Sequence, residues 1–424
     1  MTKEASRHIV VIGAGIVGVC TAHALLDDGH QVTLLEPGEP GGEQAASYGN
    51  GAFLSPASII PMSVPGLWKK VPGYLIDPQG PFTIRWRFLP RLAPWLLHFL
   101  RAGSTAEKVQ RTARILSGLL ADAPARHMAL ANRSGLAGLI RQDGLLYAYT
   151  DRDAFDLEAV FWALRRENGL QWTELDAAAL HAFEPSLDRR YTFGVLLDEG
   201  AHCLDPGSYV RGLLDAALNR GARWIQAGAQ SFDIADGRLR GVLTTQGHIE
   251  CAGAVICAGV HSRALAAKVG DRVLLESERG YHVQIANPTA GPRIPVMPGD
   301  GKMANTVTRH GLRASGQVEL ASADAPPDWN RADILLRHLL TTYPGLADDP
   351  EHLVVRRWQG NRPSTPDGLP VIAQASATPD VIHAFGHGHV GLASAPMTAS
   401  LVASLVAQRS PNIDLAPFAA KRFR

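Results

Sequence analysis

His8-Ile-Val-Val-Ile-Gly13-Ala-Gly15-Ile16-Val17-Gly18 is the stretch that decides the fold. The β-branched run before Gly13 predicts a short strand buried on both faces. The helical pattern that follows runs to Asp28 and can place Ile16, Val17, Cys20, Ala24 and Leu25 on one side, before Gly29-His30 closes it. Gln31-Val-Thr-Leu-Leu35 predicts a second strand, which ends on Glu36. Each part has a physical task. Gly13 permits a tight turn, Gly15 lets backbone approach a pyrophosphate, and Gly18 lets the helix lie close on the strand. The helix N-terminus at Ile16 and Val17 offers free N–H groups and positive dipole to phosphates. Glu36 stands where a carboxylate takes both ribose hydroxyls of an adenosine, which disfavours a 2′-phosphate and hence NADP. Strand, glycine turn, helix, strand and acid together predict a dinucleotide site. A motif starting at residue 8 of a 424-residue chain suits a flavoprotein, in which the dinucleotide is a resident cofactor.

The remainder of the chain bounds the class. Its length exceeds one simple core and predicts two intimately joined domains. A formal net charge of +1 gives no reason to expect a nucleic-acid partner. Cys20, Cys203, Cys251 and Cys257 show no metal-site spacing and read as reduced core residues of a cytoplasmic protein. No metal site is expected. The strand at residue 8 leaves no room for a signal peptide, and no run of 18 apolar residues predicts a membrane span.

Organisation is interleaved. Residues 105–132 predict a long helix with a break near Pro124, 144–149 a strand, 156–168 a helix, and 206–219 a helix ended by Gly221. Polar strands near 223–226, 239–245 and 248–250 lead into Ala252-Gly-Ala-Val-Ile-Cys-Ala-Gly259, a buried strand running into a glycine. That sequence of elements predicts a meander returning to a parallel sheet. Residues 273–325 alternate in period two, as an antiparallel sheet does, and Trp329 to Thr342 predicts a helix.

Further motifs occur in order: Ala46-Ser47-Tyr48-Gly-Asn50-Gly51-Ala52-Phe-Leu-Ser55-Pro56, Arg279-Gly-Tyr281, Trp358-Gln-Gly360-Asn-Arg362-Pro363-Ser-Thr365-Pro366-Asp367-Gly368-Leu-Pro370, and Phe385-Gly386-His387-Gly388-His389-Val390-Gly391-Leu392. With the N-terminal unit they resemble the D-amino-acid oxidase superfamily of FAD enzymes, most of all the bacterial D-amino-acid dehydrogenases of small-subunit type, over essentially the whole chain. The resemblance implies an α/β protein: a Rossmann-type FAD-binding domain (1–60, 200–272 and 356–424) interleaved with an α+β substrate domain on an antiparallel sheet (61–199 and 273–355). It implies FAD as cofactor and a small amino acid as substrate.

The residues suit that chemistry. An amino acid oxidised at Cα must be held by its carboxylate so that the Cα–H faces the flavin. Arginine is the natural clamp, because its fork meets a carboxylate bidentately. The resemblance gives Arg362 this role; a structural arginine paired with Asp367 is the alternative. It gives Tyr281 a hydrogen bond to the same carboxylate, against a core tyrosine of the sheet. Gly386 to Gly391 predicts a loop feeding a helix from about Leu392 to Gln408, whose N-terminus faces the flavin pyrimidine. There Gly386, Gly388, His389, Val390, Gly391 and Leu392 would touch cofactor, and His387 and His389 are candidates for substrate contact or for packing. Ser47, Asn50, Gly51, Ala52, Gln230, Ala258, Gly259 and Gly360 complete the cofactor contacts that the resemblance implies. Tyr48 stands where relatives carry a small residue, and it is a candidate for reaching the active site.

The segment Phe82 to Arg101 mixes arginine with Phe and Trp. It reads as a substrate-domain helix with one core face, although such a stretch also suits a membrane interface; Pro90 and Pro94 weaken a single long helix. The expected activity is oxidation of D-amino or cyclic D-imino acids, with D-proline and 4-hydroxy-D-proline as refinements. The hydride passes from Cα to flavin N5, the imino acid is hydrolysed by water, and a quinone or other acceptor takes the electrons. Peripheral contact with the inner membrane face accompanies that acceptor. The competing expectations are a sarcosine- or glycine-type oxidase of N-substituted amino acids, a flavoprotein subunit of a heteromeric dehydrogenase, and a non-catalytic nucleotide sensor.

Overall fold

The computed structural model describes residues 6–69, 80, 82–346 and 353–423. Parts of both expected substrate-domain ranges, 70–79, 81 and 347–352, lie outside the described residues.

The first sheet has six strands in the order Arg223–Ile225, Gln31–Leu35, His8–Ile12, Gly253–Ile256, Val381–Phe385, Val371–Gln374. All neighbours run parallel except the last pair. The N-terminal strand sits in the middle, so both of its faces are covered. Ile9 and Val11 point into one core; Val10 and Ile12 point into another. Helices Ile16–Asp27, Pro206–Asn219 and Gly391–Val406 supply the first core, while the meander Ala229–Ala235, Arg238–Thr244, Gly247–Glu250 and helix Ser262–Lys268 cover the second. The stretch 388–406 is long and apolar enough to cross a bilayer, but it is mostly buried here, against the 16–27 helix.

The expected break near Pro124 falls at residues 121–122, between helices Ala106–Leu120 and Ala123–Arg133. Proline is tolerated at that position because it lies in the first turn of the second helix. Both helices bury their apolar faces, Val109, Ala113, Leu116, Leu120 and Leu130, Ala131 among them, mostly in the first core rather than with the substrate sheet. An amphipathic helix goes where its apolar stripe finds cover, and the cover here is the 391–406 helix.

The second sheet is large, mixed and mostly antiparallel. Its path is Val354–Ser364, Glu276–Ala286, Gly311–Leu320, Ala304–Thr308, Val296–Pro298, Leu145–Tyr149, Phe193–Leu197, Thr173–Leu175. Strands 296–298 and 145–149 run parallel, as do 311–320 and 82–84. Strand 354–364 belongs to this sheet, so the expected domain boundary at 356 cuts a strand. The period-two polarity of 273–325 is present, but its burial is not periodic: residues 276–285 are buried without a gap. One face packs on helix Asn330–Thr342, and the other faces the first domain. Leu89–Ala102 forms one helix despite Pro94, with Leu92 and Trp95 buried and Leu97 and Leu100 exposed; Trp86, exposed as well, lies in the short turn Trp86–Phe88 before it.

Candidate active site

At the carboxyl ends of the first sheet, close packing explains Gly13 and Gly18, a left-handed φ of 54° explains Gly259, and neither explains Gly15. A Cβ at Gly13 would lie 2.5 Å from the Cys257 carbonyl oxygen, and one at Gly18 would lie 1.9 Å from that of Gly13. Protein packing therefore requires both. At Gly15 the nearest atom is the Ser47 hydroxyl at 3.5 Å, and at Gly259 nothing lies within 4 Å. Gly15 and Gly259 border open space at the head of the helix, a cradle of the kind a pyrophosphate needs. Ser47 accepts the Ile16 N–H at 3.1 Å, and Val17, half-buried, follows in the same first turn. Glu36 closes the second strand, its oxygens accepting N–H groups of Ala14 (3.0 Å) and Gly38 (3.1 Å). A β-bulge between Ala229 and Ser231 takes Gln230 out of the ladder register and leaves it exposed. These residues fit an adenine dinucleotide.

The loop after Ser47 is fixed to the large sheet. Arg313 donates to the carbonyls of Tyr48 and Asn50, both at 3.0 Å, and Thr306 donates to the Gly51 carbonyl at 2.9 Å. Ala52 holds a left-handed φ of 67°, and its N–H donates to Asn50 Oδ1 at 2.8 Å. That strained conformation is sustained by the contacts on both sides. Burial pushes the Arg313 guanidinium down to about 10. Arg313 gives no sign in sequence pattern; only its register opposite Gln284, to which it also donates, reveals it.

Arg362 lies on the large sheet's face toward the first domain. Its guanidinium crosses Gly280, where a Cβ would lie 2.3 Å from Cζ, and donates to the carbonyls of Gln317 (2.9 Å) and Gly316 (3.2 Å). Those carbonyls are turned toward it at a bulge where Gln317 takes φ 58°. Two of the five guanidinium donors are thus used in fixing its direction. Asp367 pairs with Arg422 instead, at 2.7 Å, so the alternative of an Arg362–Asp367 pair does not occur. Two residues apart along the same strand, Gly360 lies under the indole of Trp358. Trp358 stacks on His282 at 5.0 Å, and Tyr48 completes the group at 6.4 Å from His282 and 6.3 Å from Trp358. The Tyr48 hydroxyl donates to Glu43 at 3.2 Å, so its ring, not its hydroxyl, faces the seam. Burial pushes the His282 imidazole down to about 3. Stepping by two from Arg362 reaches Trp358, and the cross-strand register then reaches His282, so this wall was available from alternation once the strand was placed.

Tyr281 is not beside Arg362. Side chains alternate along a strand, and Gly280 and His282 occupy the Arg362 face. Tyr281 is turned to the opposite face, packed with Val283 and Leu335; its hydroxyl donates to Glu319 and accepts the Asp328 N–H at 3.0 Å. It is the core tyrosine. His387 is likewise structural: its Nε2 bonds the Thr398 hydroxyl at 3.0 Å and pins the glycine loop to the 391–406 helix, while burial lowers its pKa to about 3. The same loop is tied to the large sheet by a bridge between Ser364 and His387. Gly386 and Gly388 take φ 86° and 52°, and His389 in the turn that follows is exposed and near enough to Arg362 to feel its charge. Desolvation and the Arg362 charge lower its pKa to about 4. Val390, Gly391 and Leu392 form the helix N-terminus. Among the described residues no group of three potential metal ligands occurs.

A dinucleotide cradle opening onto a sheet that carries an oriented, half-buried arginine defines an FAD-dependent oxidoreductase. The chain belongs to the family described as DAO, FAD dependent oxidoreductase, whose model matches residues 8–405. It is 48% identical over 417 residues to a D-amino-acid oxidase of Bradyrhizobium diazoefficiens, covering 98% of this chain and 99% of the relative. It is 31% identical to D-amino acid dehydrogenase 2 of Ralstonia nicotianae, covering 98% and 100%. The fold is similar to that of glycine oxidase from Geobacillus kaustophilus, with a TM-score of 0.74, 21% identity, and coverage of 98% and 99%.

Proposed function

We propose that the protein oxidises D-amino acids, cyclic imino acids among them, at Cα to the imino acid. The observation that carries this reading is Arg362: a half-buried guanidinium aimed by two backbone carbonyls, with unused donors, on the face toward the dinucleotide cradle. Such a group is the natural partner of a small carboxylate. The similarity to a D-amino-acid oxidase supports the D-configured amino acid as substrate.

Bound FAD would supply the hydride acceptor. Gly13, Gly15, Gly18, Ser47, Glu36 and Gly259 would hold its nucleotide end, with the Gly386–Leu392 loop and helix N-terminus at the flavin. Arg362 fixes the substrate carboxylate, and therefore where Cα stands. The Tyr48, His282 and Trp358 rings wall the seam and keep water from it. His389, uncharged at neutral pH, presents a polar edge without a competing cation.

We assign the electrons to a quinone or similar acceptor, and the protein to the cytoplasm with contact at the membrane face. The helix 89–102 supports that contact: Leu97 and Leu100 are exposed near Arg101, while Trp95 on its inner side donates to the Ser364 carbonyl at 3.0 Å, two residues from Arg362. The test is turnover of paired D- and L-amino acids, prolines, sarcosine and glycine with a dye acceptor, scored by oxo or imino product. D-specific turnover is expected. Turnover confined to sarcosine or glycine refutes the reading.

A further inference from the structure

Glu278 stands directly opposite Arg362 in the antiparallel register of strands 276–286 and 354–364. Residues so paired have Cβ atoms about 5 Å apart and share a face. Yet the two do not form an ion pair. Arg362 leans across Gly280 to the carbonyls of Gly316 and Gln317, and Glu278 accepts the Ser364 hydroxyl at 2.7 Å through Oε2. Glu278 is only 4% exposed. A carboxylate buried with a cation near it but none at hydrogen-bond distance is incompletely compensated, and a cationic group entering beside it would complete the pairing.

We propose that Glu278 is the receptor for the substrate's amino group and takes a proton from it. This rests on the reading given above. An α-amino acid in neutral water carries a carboxylate and an ammonium on one carbon, and Arg362 with Glu278 presents the complementary charges from paired positions on one sheet face. Oxidation at Cα needs the nitrogen lone pair to form the C=N bond, so the ammonium must first lose a proton. One N–H bond breaks with its electron pair left on nitrogen, and an O–H bond forms on Glu278. With the nitrogen neutral, its lone pair can close the C=N bond as the Cα–H departs as hydride, for which bound FAD would be the acceptor. Glu278 returns its proton to water after product leaves.

The surroundings suit this task. Burial raises the Glu278 carboxyl above the usual carboxylate range, opposed by the Ser364 hydroxyl and the Arg362 charge. A raised value makes it a better proton acceptor. The other charged or titratable groups nearby are occupied or weak. Arg263 is paired with Glu276, two residues back along the strand. Glu319 lies on the opposite face with Arg85, Arg279 and Tyr281. His387 and His389, lowered to about 3 and 4, are poor bases.

The experiment compares wild type with Glu278→Gln in three readouts: flavin content, binding of propanoate seen in the flavin spectrum, and the pH profile of kcat/KM for D-alanine or the best D-substrate. Flavin content and propanoate affinity should hold within about threefold, because propanoate has no amine. At pH 7 kcat/KM should fall about 100-fold or more. It should then climb about tenfold per pH unit, because amine already neutral in solution no longer needs an acceptor. A loss equal at every pH, or a parallel loss of propanoate binding, makes Glu278 structural and overturns the proposal. So does a loss restricted to substrates with cationic side chains. Should Glu278→Gln fail to fold, Ser364→Ala removes the carboxylate's hydrogen bond and should move the acid limb of the profile upward; an unmoved limb overturns the proposal equally. Wild type inactive on every D-amino acid sinks the underlying reading as well, whereas active wild type with an unchanged Gln variant sinks this inference alone.

Discussion

Replacing Arg362 by lysine separates charge from geometry at the proposed substrate clamp. The guanidinium reaches across Gly280 and spends two donors on the Gln317 and Gly316 carbonyls, which leaves a fork in a fixed direction. A lysine ammonium can occupy the same charge position, but it satisfies those carbonyls and a carboxylate with three donors radiating from one nitrogen. At least one charge-assisted hydrogen bond to the substrate is lost, worth roughly 1.5–3 kcal/mol, together with the alignment of Cα. The sum is about 2–4 kcal/mol of transition-state stabilisation. That corresponds to a fall of about 30- to 1000-fold in kcat/KM. Flavin content should be spared, since both Arg362 bonds run to the 311–320 strand and neither to the nucleotide end. Dye-coupled kinetics give the first quantity and the visible flavin band per protein gives the second. Near-normal kcat/KM would refute Arg362 as the clamp, and loss of flavin in step with activity would recast it as a structural residue.

Three further outcomes follow from particular contacts. Gly18→Ala places a Cβ 1.9 Å from the Gly13 carbonyl oxygen, so the helix must move off the strand; we expect a loss of roughly 1–3 kcal/mol in stability and a clear fall in flavin occupancy, read by thermal unfolding and absorbance, and full occupancy at unchanged Tm would contradict it. His127, buried between the Tyr209 hydroxyl and the Leu392 carbonyl, has its pKa lowered to about 4 against 6.5 for the free group. The unfolded chain therefore binds more protons between those values. This contribution is complete above pH 6.5 and disappears as pH falls toward 4, a cost of about 3 kcal/mol. Urea unfolding at pH 7 and pH 4.5 should show a smaller acid loss in His127→Gln than in wild type, and equal losses would count against it. Reduced enzyme mixed in stopped flow with air-saturated buffer or a soluble quinone should reoxidise faster with quinone; equal rates would mark an oxidase and remove the main support for membrane contact by the 89–102 helix.

The N-terminal unit was legible in full, because glycines at fixed offsets between β-branched runs have few other uses: strand, helix and second strand fall at His8–Ile12, Ile16–Asp27 and Gln31–Leu35. The placement of Arg362 on the large sheet's inner face is where a carboxylate clamp needs it, and its proposed role comes from a resemblance to known motifs. Tyr281 was misplaced because a motif gives a position but not a face; the alternation Gly280, Tyr281, His282 assigns it to the helix side. Glu278 and Arg313 were missed for a related reason. A polar residue in a period-two strand reads as solvent-facing, and nothing local states that the second face is covered by another domain. Helices 106–120 and 123–133 were assigned by position to the substrate region, whereas their apolar stripes are satisfied by the 391–406 helix, a contact across some 270 residues that local pattern does not carry.

The central claim is that this chain uses bound flavin to remove hydride from the α-carbon of a D-amino acid. It is tested most directly by mixing the purified holoenzyme anaerobically with a D-amino acid, its α-deuterated form and its L-enantiomer, while following the visible flavin band. The account predicts bleaching by the D-form, slower bleaching by the deuterated form, and an unbleached band with the L-form. Bleaching by the L-form at the same rate, or no bleaching by any D-amino or D-imino acid, would contradict it.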